Sequence, residues 1–263
     1  VARRSGLDLS TIAGTGRNKR VTRADIAALS RPARASYHVE TSAGRLFFRE
    51  WPAQGKPKGT VLHIHGLFAD SQSFTTLGRK LAARGLRSMA VDLPGHGETP
   101  SNADSLLAIV DAVRAALPPQ RIHIIGHSLG GAVAAHLGDR AQSLLLLSPA
   151  GCGEDINGGF VAAMLGGQLD HGLSLLGETI PPEAIANFAD HLAVHGSQPR
   201  AIASSIALGD GQTVSILSNL SAFAFPLRAV ARRDDPIIPA RHALNLPANV
   251  DARFMTGASH LPH

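Results

Sequence analysis

The sequence predicts an α/β fold, with a mostly parallel central sheet and helices on both of its faces. Runs of apolar and β-branched residues alternate with helical patterns from about residue 37 onward. This alternation is typical of strands joined by helical crossovers. One run, Ser143–Leu147, is almost wholly apolar, as expected for a central strand that is buried on both faces. A serine motif follows another run directly, at a strand-to-helix turn.

The strands of the main domain are predicted from short runs rich in Val, Ile, Leu and aromatic residues. Parallel strands need long crossovers, so the helices are placed between them. The predicted strands are Leu46–Trp51, Thr60–Ile64, Ser88–Asp92, Ile122–Ile125, Ser143–Leu147, Leu227–Ala231 and Ala252–Met255. The predicted helices are Leu77–Arg84, Ser105–Leu117 and Leu129–Gly138.

A segment of about residues 151–225 breaks this alternation, and we interpret it as a helical cap inserted over the active site. It is rich in glycine, and seven of its side chains are acidic while only Arg200 is basic. Its helical patterns are Gly159–Leu165, Pro182–Val194 and Arg200–Leu208.

The charge of the chain is concentrated near its start. Residues 1–34 hold eight Arg or Lys and two Asp, which gives this segment a net charge of +6, whereas the rest is nearly neutral. We predict a basic module at 1–30, a linker at 31–36 and a main domain at 37–263. Such a module favours an acidic partner surface. It has no aromatic residue for base stacking, so nucleic acid is not the expected partner.

The composition indicates a globular protein in a reducing compartment. Hydrophobic residues make up 44% of the chain, and no run approaches the ~20 apolar residues of a membrane span. The single cysteine, Cys152, excludes an internal disulfide, so we expect a cytoplasmic location. No metal-ligand spacing or nucleotide-binding glycine motif is present, so no metal or bound cofactor is expected. Because the chain begins at Val1, we expect a fragment of a longer protein.

The candidate nucleophile is Ser128, in the sequence Gly-His-Ser-Leu-Gly of residues 126–130. A predicted strand precedes it and an Ala-rich helix follows, which is the setting in which a sharp turn exposes a serine hydroxyl above a sheet. Glycines on either side let strand and helix approach closely. The helix N-terminus also points backbone N–H groups at a developing oxyanion.

A serine hydroxyl needs a general base, and that base needs an acid to orient it. His260 follows the last predicted strand and is the candidate base, with His263 as the alternative. Asp235 follows the strand before it, in an Asp-x-x-x-Pro arrangement, and is the candidate acid, with Asp234 as the alternative. The order serine, acid, histidine is the one that hydrolases of this kind use. The amides of Leu67, in the turn after Thr60–Ile64, and of Leu129 are the predicted oxyanion donors.

These motifs, in this order, resemble the α/β-hydrolase superfamily from residue 37 onward. Residues 147–160, Leu-Ser-Pro-Ala-Gly-Cys-Gly-Glu-Asp-Ile-Asn-Gly-Gly-Phe, resemble the cap entrance of the E2 acyltransferase of acetoin dehydrogenase complexes. The start of the chain, with Gly-Leu-Asp-Leu-Ser, Gly-Thr-Gly and Arg-Val-Thr-Arg-Ala-Asp-Ile, resembles the peripheral subunit-binding module of 2-oxo acid dehydrogenase E2 chains. That resemblance implies that Arg20, with Arg17 and Lys19, contacts acidic partner subunits.

The resemblance implies an acyltransferase that moves an acetyl group from dihydrolipoamide to coenzyme A through a serine acyl-enzyme. It also implies E1 or E3 subunits as partners, a homo-oligomeric full-length protein and a lipoyl group carried on a domain upstream of this chain. The alternative is a serine hydrolase of an ester, thioester or activated carbon–carbon bond, since only the acceptor of the acyl group differs. A scaffold that only tethers subunits is a third hypothesis, which the complete triad disfavours.

Overall fold

An eight-stranded sheet forms the centre of the structure, a computed structural model that describes residues 16, 18, 20–22, 35–41, 44–100, 103–177, 198–257 and 259–260. Ten strands lie in these described ranges, eight in the main sheet and two in a small hairpin. In chain order they are β1 (Ala35–Thr41), β2 (Gly44–Trp51), β3 (Thr60–Ile64), β4 (Arg87–Val91), β5 (Ile122–His127), β6 (Ala141–Leu147), β7 (Ala207–Leu208), β8 (Gly211–Gln212), β9 (Leu227–Arg232) and β10 (Val250–Met255).

Helices connect and cover these strands. In the described part of the chain the α-helices are α1 (Thr75–Ala83), α2 (Leu106–Ala116), α3 (Leu129–His136), α4 (Gly158–Leu165), α5 (Leu169–Ser174), α6 (Gln198–Ile206) and α7 (Leu217–Ser221). Short 3₁₀-helices occur at Ser71–Phe74, Gly138–Arg140 and Ala240–Asn245. None of the helices described is long and apolar enough to cross a membrane.

The main sheet has the order β1-β2-β4-β3-β5-β6-β9-β10. Strand β2 is antiparallel to both of its neighbours, and all the other neighbouring pairs are parallel. The carboxyl ends of β3, β5, β6 and β9 therefore lie along one edge of the sheet, where ligand sites of open α/β sheets are found. The loops after β3, β5 and β9, with the loop after the parallel strand β10, carry the predicted catalytic and oxyanion-binding residues.

Helix α3 packs directly behind the centre of the sheet because its residues are small. Seven of its eight residues are buried, most of them Ala or Gly. A β-carbon added at Gly130 would collide with the backbone oxygens of Ile64 and His65 at the end of β3. One added at Gly131 would lie 2.8 Å from the β-carbon of Pro149. Glycine at these positions thus lets the start of α3 meet the ends of two neighbouring strands.

The predicted α/β fold is confirmed, and most element boundaries agree to within two residues. Strand β1 begins at Ala35, inside the segment predicted as a linker, and extends to Thr41. Strand β1 lies at the edge of the sheet, and its sequence alternates polar and apolar residues without an apolar run. It was therefore not predicted as a strand. Helix α5, the β7–β8 hairpin and α7 were also not predicted. The predicted cap helix Pro182–Val194 lies outside the described residues.

Candidate active site

Ser128 occupies a strained turn between β5 and α3. Its backbone angles are φ 53° and ψ −118°, a region that residues with a β-carbon rarely adopt. A β-carbon at Gly126 would collide with the backbone of Gly130, so both flanking glycines are required by the tightness of the turn. The sequence prediction of a serine at a sharp strand-to-helix turn matches this geometry, and Ser128 itself is half-buried at the cavity.

Hydrogen bonds on both sides hold the strained residue in place. The Ser128 amide donates to the carbonyl of Leu147, at the end of neighbouring strand β6, over 3.0 Å. The Ser128 carbonyl accepts from the amides of Gly131 at 2.9 Å and Ala150 at 3.1 Å. Because the first turn of α3 and the end of β6 with its following loop hold both peptide groups of Ser128, the strain persists in the folded state.

His260 and Asp235 form a buried ion-pair geometry beside the serine. The Nδ1 atom of His260 lies 3.0 Å from each carboxylate oxygen of Asp235, and both side chains are almost completely buried. Ser128 and His260 line the same cavity. Asp234, the alternative acid, is exposed, and His263, the alternative base, lies outside the described residues. The arrangement thus places Asp235 where it can orient the imidazole with Nδ1 protonated.

Two backbone amides also bind the Asp235 carboxylate. Its Oδ1 accepts from the amide of Ile237 at 2.9 Å and from that of Ile238 at 3.0 Å. Burial alone would raise the pKa of Asp235, but the hydrogen bond and charge of His260 and the two amides outweigh burial and hold the pKa below its ordinary value. The carboxylate therefore stays ionised at neutral pH and can stabilise an imidazolium.

His260 is held by its backbone as well as by its side chain. Its amide donates to the carbonyl of Leu176 in the cap over 3.0 Å. Its carbonyl lies 2.7 Å from Nε2 of His127, the residue before the serine, so that ring donates to it. The two imidazole rings lie with their centroids 4.8 Å apart. His127 thereby joins the nucleophile turn to the loop that carries the base.

The turn that carries Leu67 is fixed by two histidines in neutral form. Nε2 of His65 accepts from the amide of Leu93 at 2.9 Å, while its Nδ1 donates to the Gly66 carbonyl at 2.8 Å. Nε2 of His96 accepts from the amide of Phe68 at 3.2 Å. An accepting nitrogen carries no proton, so each ring is held as the Nδ1–H tautomer. Leu67 lies between these anchored residues and lines the same cavity as Ser128 and Leu129.

Asp92 ties the loop after β4 to the Leu67 turn. Its carboxylate accepts from the Ser71 amide at 2.6 Å and from the Glu98 amide at 2.8 Å. Burial raises the pKa of Asp92, although the amides of Glu98 and Ser71 act in the opposite direction. A β-carbon at Gly97 would collide with this carboxylate, which accounts for the glycine-rich turn in the sequence. Asp92 is therefore a structural acid.

The cavity above Ser128 has a volume of about 360 Å³ and mostly apolar walls. Leu129 and Ala150 form part of the wall on the serine side, and the cap supplies Phe160 and Met164. Volumes of about 300–1,000 Å³ are typical of small-molecule sites. The cavity can therefore hold an organic substrate with its reacting bond at the serine.

A family model described as the alpha/beta hydrolase family matches residues 61–263. The chain belongs to the alpha/beta hydrolase family. A second family model, described as the e3 binding domain, matches residues 1–27. Together the two matches confirm the resemblance inferred from the sequence.

Two similar proteins are named as acetyltransferase components of an acetoin cleaving system. The dihydrolipoyllysine-residue acetyltransferase component of the acetoin cleaving system of Pseudomonas putida is 33% identical over 78% of this alpha/beta hydrolase chain. The protein of the same name from Cupriavidus necator is 28% identical over 77% of the chain. The chain spans 59% of the length of each relative. A solved structure of a putative lipase from Acinetobacter baumannii has a TM-score of 0.72 and 20% identity, covering 94% of this chain and 92% of its own. This last likeness shows the fold.

Only one of the three residues predicted to bind partners is described in this alpha/beta hydrolase. Arg20 is exposed, and its carbonyl accepts from the amide of Gly16 at 3.0 Å, whereas Arg17 and Lys19 lie outside the described residues. Their role in binding stays a prediction. Within the described ranges, no cluster of three or more His, Cys, Asp or Glu could hold a metal ion.

Sequence reasoning missed the residues that shape the substrate cavity. Phe68 has a left-handed backbone, with φ 64°, and its ring packs edge-on against Phe160, with the ring centroids 6.0 Å apart. The helices α4 and α5 supply further apolar wall residues. For the wall residues in the cap, the sequence signal was the apolar side of the predicted helix Gly159–Leu165. An apolar side of this kind is equally typical of a helix that packs on the main core.

Proposed function

We propose that this chain is the acyltransferase part of an acetoin dehydrogenase complex, moving an acetyl group from dihydrolipoamide to coenzyme A. The observation that carries the proposal is one chain that joins a serine, histidine and aspartate site to a segment matching the e3 binding domain. The names of the two relatives support the same reading.

The first half of the reaction forms an acyl-enzyme. Oγ of Ser128 attacks the thioester carbonyl carbon while its proton passes to Nε2 of His260. The amides of Leu67 and Leu129 stabilise the oxyanion, because the first N–H groups of a helix have no partner within it and the turn supplies a second donor. The carbon–sulfur bond then breaks, and the leaving sulfur takes the proton from His260.

The second half returns the serine to its starting state. The thiol of coenzyme A gives its proton to His260, and its sulfur bonds to the acyl carbon. The carbon–Oγ bond breaks and Ser128 recovers a proton from the imidazolium. Throughout, the ionised Asp235 stabilises the positive charge on the ring.

A hydrolase is the second candidate, favoured by the charge of the cap. Coenzyme A carries several phosphate charges, yet the cap sequence contains seven acidic side chains and a single basic one, Arg200. The cavity walls above Ser128 are also mainly apolar. Water in place of the thiol would resolve the same acyl-enzyme to acetate or another acid.

The partners in this proposal are E1 and E3 subunits, bound through residues 1–30 with Arg17, Lys19 and Arg20 in contact. The donor would be a lipoyl group attached to another domain of the full-length protein, which we expect to be a cytoplasmic homo-oligomer. The basic charge of residues 1–34 supports binding to an acidic subunit surface.

Acyl-acceptor partitioning tests the proposal. Purified protein is given acetyl-dihydrolipoamide and increasing coenzyme A, and acetyl-coenzyme A and acetate are followed by mass spectrometry, with Ser128→Ala as control. Acetyl-coenzyme A that rises with the acceptor and vanishes in the control is the expected result. Acetate alone, unaffected by coenzyme A, would refute the transferase and favour the hydrolase.

A further inference from the structure

Asn157, at the entrance of the cap, uses both ends of its side-chain amide in hydrogen bonds. Its Oδ1 accepts from the amide of Phe160 over 3.2 Å, which is the N-cap hydrogen bond of α4. Its Nδ2 donates to the carbonyl of Pro236 over 3.0 Å. One partner is a donor and the other an acceptor, so the amide satisfies both in one orientation only. The side chain therefore joins the first turn of a cap helix to the loop after β9.

The backbone of Asn157 binds the same loop. Its amide donates to the carbonyl of Ile237 over 3.0 Å. One residue therefore holds two successive carbonyls, that of Pro236 with its side chain and that of Ile237 with its main chain. The loop held in this way is the one that carries Asp235.

The two carbonyls belong to the peptide groups that bind the Asp235 carboxylate. The carbonyl of Pro236 and the amide of Ile237 form one peptide group, and the carbonyl of Ile237 and the amide of Ile238 form the next. No peptide bond in the described residues is cis, so the C=O and N–H of each group point in opposite directions within one plane. Asn157 binds both groups at the carbonyl, and Oδ1 of Asp235 accepts from both amides, at 2.9 and 3.0 Å.

This arrangement acts on the carboxylate in two ways. A planar peptide group that is held at its carbonyl keeps the direction of its N–H, here toward Oδ1 of Asp235. A hydrogen bond to the carbonyl also polarises the peptide group and makes its N–H a stronger donor. The same Oδ1 lies 3.0 Å from Nδ1 of His260, so rotation of either peptide group would move the acid relative to the base.

We propose that Asn157 is a positioning residue that holds the Asp235 carboxylate in place beside His260. The inference rests on the proposed acyl-enzyme at Ser128 and applies to transfer and to hydrolysis alike, since both use the same acid and base. Helix α4, which Asn157 caps, also lines the cavity. One side chain thus fixes the start of a cavity wall and, through two peptide groups, the acid of the site.

The variant Asn157→Ser separates the two hydrogen bonds of the side chain. A serine hydroxyl keeps the N-cap acceptor of α4, but it is shorter than the amide and loses the bond to the Pro236 carbonyl. Asn157→Asp also keeps an N-cap acceptor, and it turns a carboxylate oxygen toward that carbonyl. Asn245→Ser is the matched control, because Nδ2 of Asn245 donates over 2.8 Å to the carbonyl of Cys152, near the cap entrance and outside the two peptide groups.

The first measurement is the release of 4-nitrophenol from 4-nitrophenyl acetate, which reports turnover at Ser128 with water as the acceptor. We expect kcat to fall by about ten- to a hundredfold in Asn157→Ser and further in Asn157→Asp, with KM within about twofold, because the acid is misplaced while the cavity is kept. Asn245→Ser should keep both constants within about twofold.

A double-mutant cycle distinguishes positioning of the acid from a general loss of structure. Added to Asp235→Asn, the Asn157→Ser change should lower kcat by less than about threefold, because the carboxylate that it positions is already gone. The full loss seen in the single variant, repeated in the double variant, would overturn the inference.

Proton NMR gives a readout that needs no substrate. The proton of His260 Nδ1 that is hydrogen-bonded to Asp235 should give a low-field resonance, identified by its disappearance in Asp235→Asn. We expect this resonance to shift or broaden in Asn157→Ser and to stay unchanged in Asn245→Ser, and an unchanged resonance in Asn157→Ser would overturn the inference. Nitrophenol release that does not depend on Ser128 in the unmodified protein would instead remove the proposed function, while the resonance would still test the hold on Asp235.

Discussion

Asp235→Asn should shift His260 to the tautomer with its proton on Nε2, which cannot act as the general base. Oδ1 of Asp235 accepts from the amides of Ile237 and Ile238 at 2.9 and 3.0 Å. In the variant the side-chain carbonyl keeps this position, because only an acceptor can satisfy those two amides. The new NH₂ group then faces Nδ1 of His260 and can only donate to it. Oδ1 also lies 3.0 Å from Nδ1, but an Nδ1–H proton would meet the NH₂ group, so the ring favours the tautomer that accepts at Nδ1 and carries its proton on Nε2, where it cannot take the proton of Ser128.

The expected fall in kcat follows from the groups that Asp235→Asn loses and those that it keeps. The variant keeps the volume, the two backbone hydrogen bonds and the oxyanion donors, but it loses the general base and the charge beside the imidazolium. We expect kcat to fall by about 10³- to 10⁴-fold. At 1.36 kcal/mol for each factor of ten, this equals about 4–5.5 kcal/mol of transition-state stabilisation.

The assay is the release of thiol from acetyl-dihydrolipoamide, measured as kcat and kcat/KM at pH 7 to 8. Asp234→Asn is the matched control, since it removes the same charge from the adjacent, exposed residue and should retain activity within about twofold. Circular dichroism would verify that both variants are folded. Near-full activity in Asp235→Asn together with inactivity in Asp234→Asn would refute the reasoning and move the acid to the alternative position.

Three further predictions concern the backbone, the Leu67 turn and pH. Ser128→Gly should unfold with a free energy about 1 kcal/mol higher than Ser128→Ala, because glycine tolerates φ 53°; equal values in urea denaturation would show that the turn stores no strain. His96→Ala removes the acceptor of the Phe68 amide, so kcat/KM should fall by up to about 10²-fold, while the exposed control His38→Ala keeps its activity; no loss would remove His96 from positioning the turn. The folded-state pKa of Asp235 is lowered, so its ionised form adds stability above about pH 4 that is lost as the pH falls further. At acid pH, Tm should therefore fall less steeply with decreasing pH in Asp235→Asn than in the unchanged protein. Equal slopes in the two proteins would contradict this.

The residues that we propose to react could be predicted from the sequence because each one is marked by local chain geometry. Ser128 lies between a strand and a helix, and the flanking glycines report the tightness of the turn. Asp235 and His260 follow strands β9 and β10, and parallel strands bring their carboxyl ends together. These signals need only the order of elements and the identity of a few neighbours.

The cavity could not be predicted because its walls depend on how the cap packs. Met164 and Leu173 belong to short helices whose apolar residues could equally have faced the main core. Which side they face depends on tertiary contacts such as the hydrogen bond between His260 and Leu176. Asp92 shows the same limit, since a buried carboxylate satisfied by distant amides leaves no local pattern.

The choice between transfer and hydrolysis then depends on the cap rather than on the triad. The donor thiol must leave and an acceptor must approach on the same side of the acyl-enzyme, because His260 serves both steps. An acceptor thiol that fills the apolar cavity above Ser128 excludes water from the ester while it is bound. The ratio of thiol transfer to hydrolysis should therefore rise with the length of an apolar acceptor, and Val161→Phe, which narrows the cavity, should lower that ratio.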